Sequence, residues 1–463
     1  MRRPRLIALG CSLESRCANG ALNLRFDLTG DPFSMNIGTS IQRPEHVPAE
    51  RVFDIDVYSP PGLQDGYHAA WARLFAAGVP DLVWTPRNGG HWVATRATVI
   101  ERVYAEHQHF SNHVMLVPKL LRPDGKDVHY IVPSYLDPPE HGPYRELLTR
   151  AFAPRSIGAL ESRIREIAIA LITAVRAQGQ CDFIQAYANV LPIQVFMSLV
   201  DLPLSDVPKV KAWVEVITKP EAAWSIEARQ ERTAGAQRSL HEYLDPYISA
   251  RLGHAGEDML SRLVNGQVHG RALTRPEMRD MCTQIMFGGL DTVANFLGFV
   301  LLFLAGNPQH RRELLANPAL IPAAVEELLR RFPVVTVGRE VRHDMQFEGV
   351  TLKAGEMIMA PTPLSGLDER VNADPLAVDF HRQGGQHTAF GRGIHRCPGA
   401  HLGRMEVAIT IREWLARIPE FSVTADTQLV YAGGVVGRIA ALPLVWDPAT
   451  PKQAPALGAA CGD

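Results

Sequence analysis

A mainly α-helical fold with small antiparallel β-sheets is what this sequence predicts, on three observations. From Asp137 to about Phe332 apolar residues recur at helical spacing, as at Ile164, Ile167, Ala168, Leu171 and Ile172. Only two short stretches, residues 81–95 and 345–361, set β-forming residues around glycine turns. No strand–helix–strand alternation runs through the chain, which argues against a doubly wound parallel sheet.

Taken in order, the chain opens on MRRPRLIALGCSLESRCA, a basic start with a short apolar patch. Cys11 and Ser12 cut that patch short, and charged Glu14 and Arg16 follow, so it reads as a weak or failed signal peptide. Residues 1–44 are expected to be a disordered extension or to contain a start codon called too early, with Met35 as the real start. Residues 45–463 are expected to form a single domain. DLVWTPRNGGHWVAT (81–95) reads as a hairpin around Asn88-Gly89-Gly90. Asp137-Pro138-Pro139-Glu140 reads as a helix start, with prolines early and acid in the first turn. The second β patch, MQFEGVTLKAGEMIMAP, has turns at Gly349 and Gly355. A Pro- and Gly-rich meander is expected over 361–393, then a last helix from about Pro398 to Ile418. The histidine run HQHFSNH (107–113) spreads its side chains over different faces of a helix-to-loop segment, which disfavours a metal site.

With 463 residues the chain can bury a substantial core, and 47 Lys+Arg against 49 Asp+Glu leave a net charge of −2. Bulk charge therefore calls for no nucleic-acid and no membrane partner. No apolar run reaches the length needed to span a bilayer. The six cysteines, Cys11, Cys17, Cys181, Cys282, Cys397 and Cys461, form no CxxC pair, which favours a reducing compartment and a cytoplasmic location.

The chemistry concentrates in AFGRGIHRCPGAHLGR (389–404). As a phosphate loop it lacks a third glycine, a Lys-Ser/Thr and a preceding parallel strand. As a nucleophile, Cys397 has only His395 close in sequence, badly placed to act as its base. An inert buried cysteine leaves the surrounding glycines, His395 and arginines unexplained. A thiolate ligand explains them better: Gly391 and Gly393 turn amides toward the sulfur, and the positive end of a following helix favours the anion. One thiolate makes neither a zinc nor an iron–sulfur site, but it suffices for a heme iron. Heme propionates seek Arg and His donors, for which His395 is a natural candidate. Pro398 has no N–H to offer the sulfur.

Phe390-Gly391-x-Gly393-x-x-x-Cys397-x-Gly399 resembles the heme-binding signature of the cytochrome P450 monooxygenases. Glu327-x-x-Arg330 with Arg382, and Gly288-Gly289-Leu290-Asp291-Thr292, match two further segments of that family in the same order. From roughly Glu45 to Thr450 the chain is most similar to the camphor 5-monooxygenase branch, through VPDLVWT, NGGHW, GGLDTV, EELLRRF, SGLDER and ALPLVWDPAT. The resemblance implies the cytochrome P450 fold and the cofactor heme b (iron protoporphyrin IX). It implies Cys397 as iron ligand, Phe390 and Gly391 in the heme loop, and Glu327, Arg330 and Arg382 as a buried structural triad. Arg145 and His141 lie four apart on one helix face, and with Arg339 and His395 they correspond to the family's propionate clamp. The branch has an aspartate where this chain has Val337.

The resemblance assigns Asp291 and Thr292 to delivering protons to bound dioxygen, which fits general acid chemistry through water. Thr292 lies four residues beyond Gly288, so its hydroxyl can bond back to that carbonyl and open the helix. Gly288 and Gly289 are costly in a helix, and read either as a packing notch or as room for dioxygen and substrate. Substrate contacts carried over by resemblance are His129 or Tyr130, Ser134, Gln284, Phe287, Gly288, Val335 and Val436. They outline an apolar pocket with one polar anchor. The expected partners are a two-iron two-sulfur (2Fe–2S) ferredoxin, an NADH-dependent flavoprotein ferredoxin reductase, O2 and a small apolar terpenoid or norisoprenoid; a monomer is expected. Rival readings keep the heme for a peroxide-driven oxygenase or a gas sensor.

Overall fold

A computed structural model describes residues 40–449, apart from 77, 122–123, 128–129, 219–225, 255 and 257. The signal-peptide and start-site expectations for residues 1–39, three of the cysteines (Cys11, Cys17, Cys461) and His129 lie outside the described residues. The backbone N–H of Ile41 already donates to Pro86 at 3.0 Å.

The molecule is built around one 32-residue helix, Arg275–Gly306. A capping box starts it: Thr274 and Glu277 satisfy each other's orphan N–H groups. Leu297, Val300, Leu301 and Leu304 on it are fully buried. By length and hydropathy this helix could cross a bilayer, which corrects the expectation that no segment qualifies. Its apolar window is 56% buried inside the protein, as a core helix is. Helices Leu191–Leu199 and Ala400–Arg417, the turn Ile184–Ala188 and strand Arg438–Ile439 all pack on it.

One five-stranded sheet stands beside the helices, in the order Leu82–Thr85, His91–Ala94, Met357–Pro361, Thr336–Val341, Phe110–Ser111. The predicted hairpin is its edge, with Thr85 opposite His91 and left-handed φ at Asn88, Gly89 and Gly90. One pairing, Ile358 against Trp92, is parallel, so this sheet is not wholly antiparallel. Strand Thr336–Val341 was not foreseen, and it carries Arg339 to the site. Phe110–Ser111 pairs with it, so the middle of the histidine run is a strand rather than helix-to-loop. Among the described residues no group of three metal-ligating side chains gathers.

Two boundaries shift. The helix expected at Asp137 begins at His141, whose N–H bonds to the Asp137 carbonyl at 2.9 Å. The Asp137 carboxylate is drawn instead to Ser111 Oγ and the Asn112 N–H, so it does not serve the first turn. Within the meander a short helix, Thr362–Leu367, packs on Ile321–Arg331. The last helix runs Ala400–Arg417, inside the expected limits.

Candidate active site

One cavity brings the sequence motifs together: Gly288, Thr292, Val335, Arg339, Phe390, Gly391, His395, Cys397 and Ser134 all line it. Its floor is the cysteine loop. The Cys397 N–H bonds to the Phe390 carbonyl at 2.9 Å and the Gly391 N–H to Thr388 at 2.8 Å, closing the loop tightly. Gly391 and Gly393 have φ of 67° and 66°, where a side chain is strained. A Cβ at Gly393 would also lie 2.9 Å from the backbone of Tyr104 and Ala105. Burial pushes the Cys397 thiol up, while the Gly399 N–H and the charges of Arg145, Arg404 and Arg396 favour the thiolate. Gly399 thus supplies the backbone donor that Pro398 cannot. A Cβ there would stand 3.9 Å from the sulfur, in ordinary contact.

The cavity's edge is cationic. His395 packs on His141 with tilted rings, centroids 4.1 Å apart, and its buried Nε2 has no hydrogen-bond partner among the described residues. Burial, reinforced by Arg339, His141 and Arg145, pushes His395 down to about 2. Burial and Arg145 bring His141 to about 4. Arg339 is buried over the Tyr104 ring and spends one N–H on the Gly338 carbonyl at 2.7 Å. Burial weakens the charges of Arg339 and Arg145 as well. Two arginines and two imidazoles held neutral, all buried or half-buried, converge where an anion would relieve the arginines and accept hydrogen bonds from the imidazoles.

The roof is the central helix. The Thr292 hydroxyl donates to the Gly288 carbonyl at 2.8 Å, and Asn295 Nδ2 to the Asp291 carbonyl at 2.8 Å. Among the described residues no neighbouring helix fills the Gly288-Gly289 face: a Cβ at Gly289 meets nothing within 4 Å, and one at Gly288 only Gln284 Nε2 at 3.6 Å. The notch of this helix is elsewhere, at Gly298, where a Cβ would come within 2.8 Å of Ile184 Cδ1.

Other expected substrate residues sit outside the lining. Gln284 and Phe287 stand on the central helix nearby, and Val436 forms a bridge to Val335. Tyr130 packs on Tyr135 with Lys126 over its ring. The cavity also has walls that sequence reasoning missed, chiefly Asn112, Met115, Val293, Phe296 and Thr362. Asn112 lay in a segment set aside for its histidines; its Nδ2 bonds to the Ser134 carbonyl at 3.1 Å, a contact no spacing announces.

Behind the loop Arg330 grips Glu327 with two bonds of 2.7 and 2.8 Å, and Arg382 Nε adds two of 3.0 and 3.1 Å. Arg330 also donates to the carbonyls of Gly366, Pro375 and Ala377, each at 2.7 Å. The buried ions therefore clamp the meander to the helix that carries Glu327.

The comparisons agree with this architecture. Residues 210–428 match the family model described as Cytochrome P450. Probable cytochrome P450 127A1 of Sinorhizobium fredii (strain NBRC 101917 / NGR234) is 34% identical over 413 residues, 87% of this chain and 96% of that protein. The crystal structure of CYP101J2 superposes with a TM-score of 0.80 at 43% identity, covering 88% of this chain and all (100%) of that one. That of cytochrome P450 CYP101C1 gives 0.79 at 38% identity, with 88% and 100% coverage. The chain belongs to the cytochrome P450 family, whose cofactor is heme b. The residues present fit that group: a thiol with a backbone donor, an unpartnered buried His395 Nε2, and two arginines weakened for want of an anion.

Proposed function

We propose that this chain is a heme-thiolate monooxygenase that hydroxylates a small apolar terpenoid or norisoprenoid, camphor-like or ionone-like. Electrons would come from a 2Fe–2S ferredoxin reduced by an NADH-dependent flavoprotein reductase, in a cytoplasmic, monomeric enzyme. The observation that carries the reading is one cavity with Cys397 in its floor and the Thr292–Gly288 bond in its roof. Heme b, when bound, supplies the chemistry that activates dioxygen.

The protein's own residues do the rest. Cys397 would hold the iron, Phe390 and Gly391 would lie against the ring, and His141, Arg145, Arg339 and His395 would take the two carboxylates. The Thr292 hydroxyl donates its hydrogen bond to the Gly288 carbonyl, so its oxygen is left to accept from water in the cavity. Asp291 is the adjacent acid and would pass protons to that water. Val293, Phe296, Val334, Val335 and Val337 make the lining mostly apolar, which suits a hydrocarbon skeleton and discourages bulk water. Ser134, Gln284, Phe287, Gly288, Val436 and either His129 or Tyr130 would shape the substrate end. Similarity to the camphor 5-monooxygenase branch supports a terpenoid-sized substrate.

Product formation from NADH with a reconstituted ferredoxin chain tests the reaction, and a low-to-high spin shift screened over monoterpene and ionone-type ketones tests the substrate class. Product from peroxide alone would move the assignment to a peroxide-driven oxygenase. Carbon monoxide binding with no turnover under either condition would point to a sensor.

A further inference from the structure

Beside Glu327 of the buried triad stands a second acid, Glu326, whose partners lie around the cysteine loop. It sits on the helix Ile321–Arg331, and its carboxylate accepts from both Nε and Nη2 of Arg404, the second at 2.9 Å. His387 Nε2 lies 3.5 Å from Glu326 Oε2. Burial pushes the Glu326 carboxyl up, but Arg404 and His387 outweigh it and hold it at about 2, so it is ionised.

These partners belong to the two shoulders of the loop. Arg404 lies seven residues after Cys397, and Phe390 lies seven before it. The Arg404 guanidinium sits over the Phe390 ring, 4.5 Å from its centre, and a Cβ at Gly403 would stand 3.8 Å from the ring's Cε1. The Phe390 carbonyl in turn accepts the Cys397 N–H at 2.9 Å. On the same shoulder His387 Nδ1 accepts the Ala389 N–H at 3.2 Å. One carboxylate therefore reaches the segment before the cysteine through His387 and the helix after it through Arg404. An ion pair this exposed adds little to global stability, since the Glu326 side chain is 47% exposed. A two-bond pair does fix the plane of the guanidinium, and that plane covers Phe390.

We propose that Glu326 is a positioning residue for the heme thiolate: through Arg404 over Phe390, and through His387, it holds both ends of the loop that carries Cys397. The inference rests on the reading of Cys397 as the iron ligand given above. Glu326 acts through its two partners and takes part in no bond-making step.

The test follows the carbon monoxide difference spectrum of the reduced, heme-loaded enzyme at a fixed, sub-denaturing urea concentration. Glu326→Gln and Arg404→Gln should each lose the red-shifted thiolate band about fivefold faster than the parent. Their double variant should be no faster than either alone, because both break one unit. Arg404→Lys keeps the charge without the two-bond fork, and should fall between the parent and Arg404→Gln. Circular dichroism should stay parental in all of them, and Arg163→Gln, which breaks an exposed pair elsewhere, should keep the parental rate.

Parental rates in Glu326→Gln and Arg404→Gln, starting from a normal thiolate band, overturn the inference and leave the Cys397 reading intact. Equal acceleration in Arg163→Gln, or helical signal lost in step with the band, overturns it too, since either marks general destabilisation. A parent enzyme without the thiolate band overturns the Cys397 reading, and the inference with it. If Glu326→Gln takes up no heme, the Arg404 pair decides: a fast Gln with an intermediate Lys supports the role, and parental rates in both end it.

Discussion

The floor of the cavity and its substrate wall are built differently. Backbone geometry makes the floor: two glycines at positive φ, amides closing on Phe390 and Thr388, and a thiol met by the Gly399 N–H. Side chains gathered from distant segments make the wall, with Met115, Ser134, Val293 and Val335 meeting only in three dimensions. Backbone devices leave rigid spacing in the sequence, whereas side-chain walls leave almost none. Changes in the floor and its supports should therefore be all-or-none, and changes in the wall and roof graded.

The largest effect should come from Cys397→Ala, which would remove the proposed thiolate ligand and should abolish turnover while circular dichroism keeps its helical signal. Residual NADH-driven product would break the contrast at once. Next is the clamp behind the floor. Arg330→Ala leaves Glu327 buried beside Arg382 alone and should cost about 3–5 kcal/mol in unfolding. Removing the exposed Arg163–Glu166 pair by Arg163→Ala should cost under ~1 kcal/mol. Equal losses would mean that the clamp is no more than a surface pair.

Two glycines of the central helix sharpen the comparison within one element. Gly298→Ala meets Ile184 and should destabilise by about 1–3 kcal/mol. Gly289→Ala meets nothing and should be neutral or stabilise by up to ~1 kcal/mol. Thermal unfolding of both variants compares them, and a Gly289→Ala as damaging as Gly298→Ala would restore the packing-notch explanation. The smallest effect concerns pH. His141 is held at about 4 in the folded protein, below an unfolded imidazole at about 6.5. The unfolded chain therefore binds the proton first, and the stability of the heme-free protein should fall as pH drops from about 6.5 toward about 4. His141→Gln should flatten that fall, and an unchanged slope would show that the edge histidines are not strained by their surroundings.

Much of this was legible in the sequence, for physical reasons that differ by region. The Asn88-Gly89-Gly90 hairpin and the last helix carry local signals, turn chemistry and periodicity, and both formed where expected. The cysteine loop was legible because glycines at positive φ cannot be replaced without strain. Strand Thr336–Val341 was not foreseen, since its partners come from residues 110–111 and 357–361 and nothing local marks it. The Asp137 segment went wrong at its boundary because Ser111 and the Asn112 N–H outcompete the first helical turn for its carboxylate. Asn112 and Thr362 in the wall were missed for the same reason: their meaning lies in neighbours far away in the chain.

The central claim is that Cys397 presents a thiolate to heme iron. The most direct measurement is the carbon monoxide difference spectrum of the reduced, heme-loaded protein. The account predicts the strongly red-shifted Soret band of thiolate ligation. A band at the position of a histidine-ligated heme, or no heme uptake at all, would contradict it.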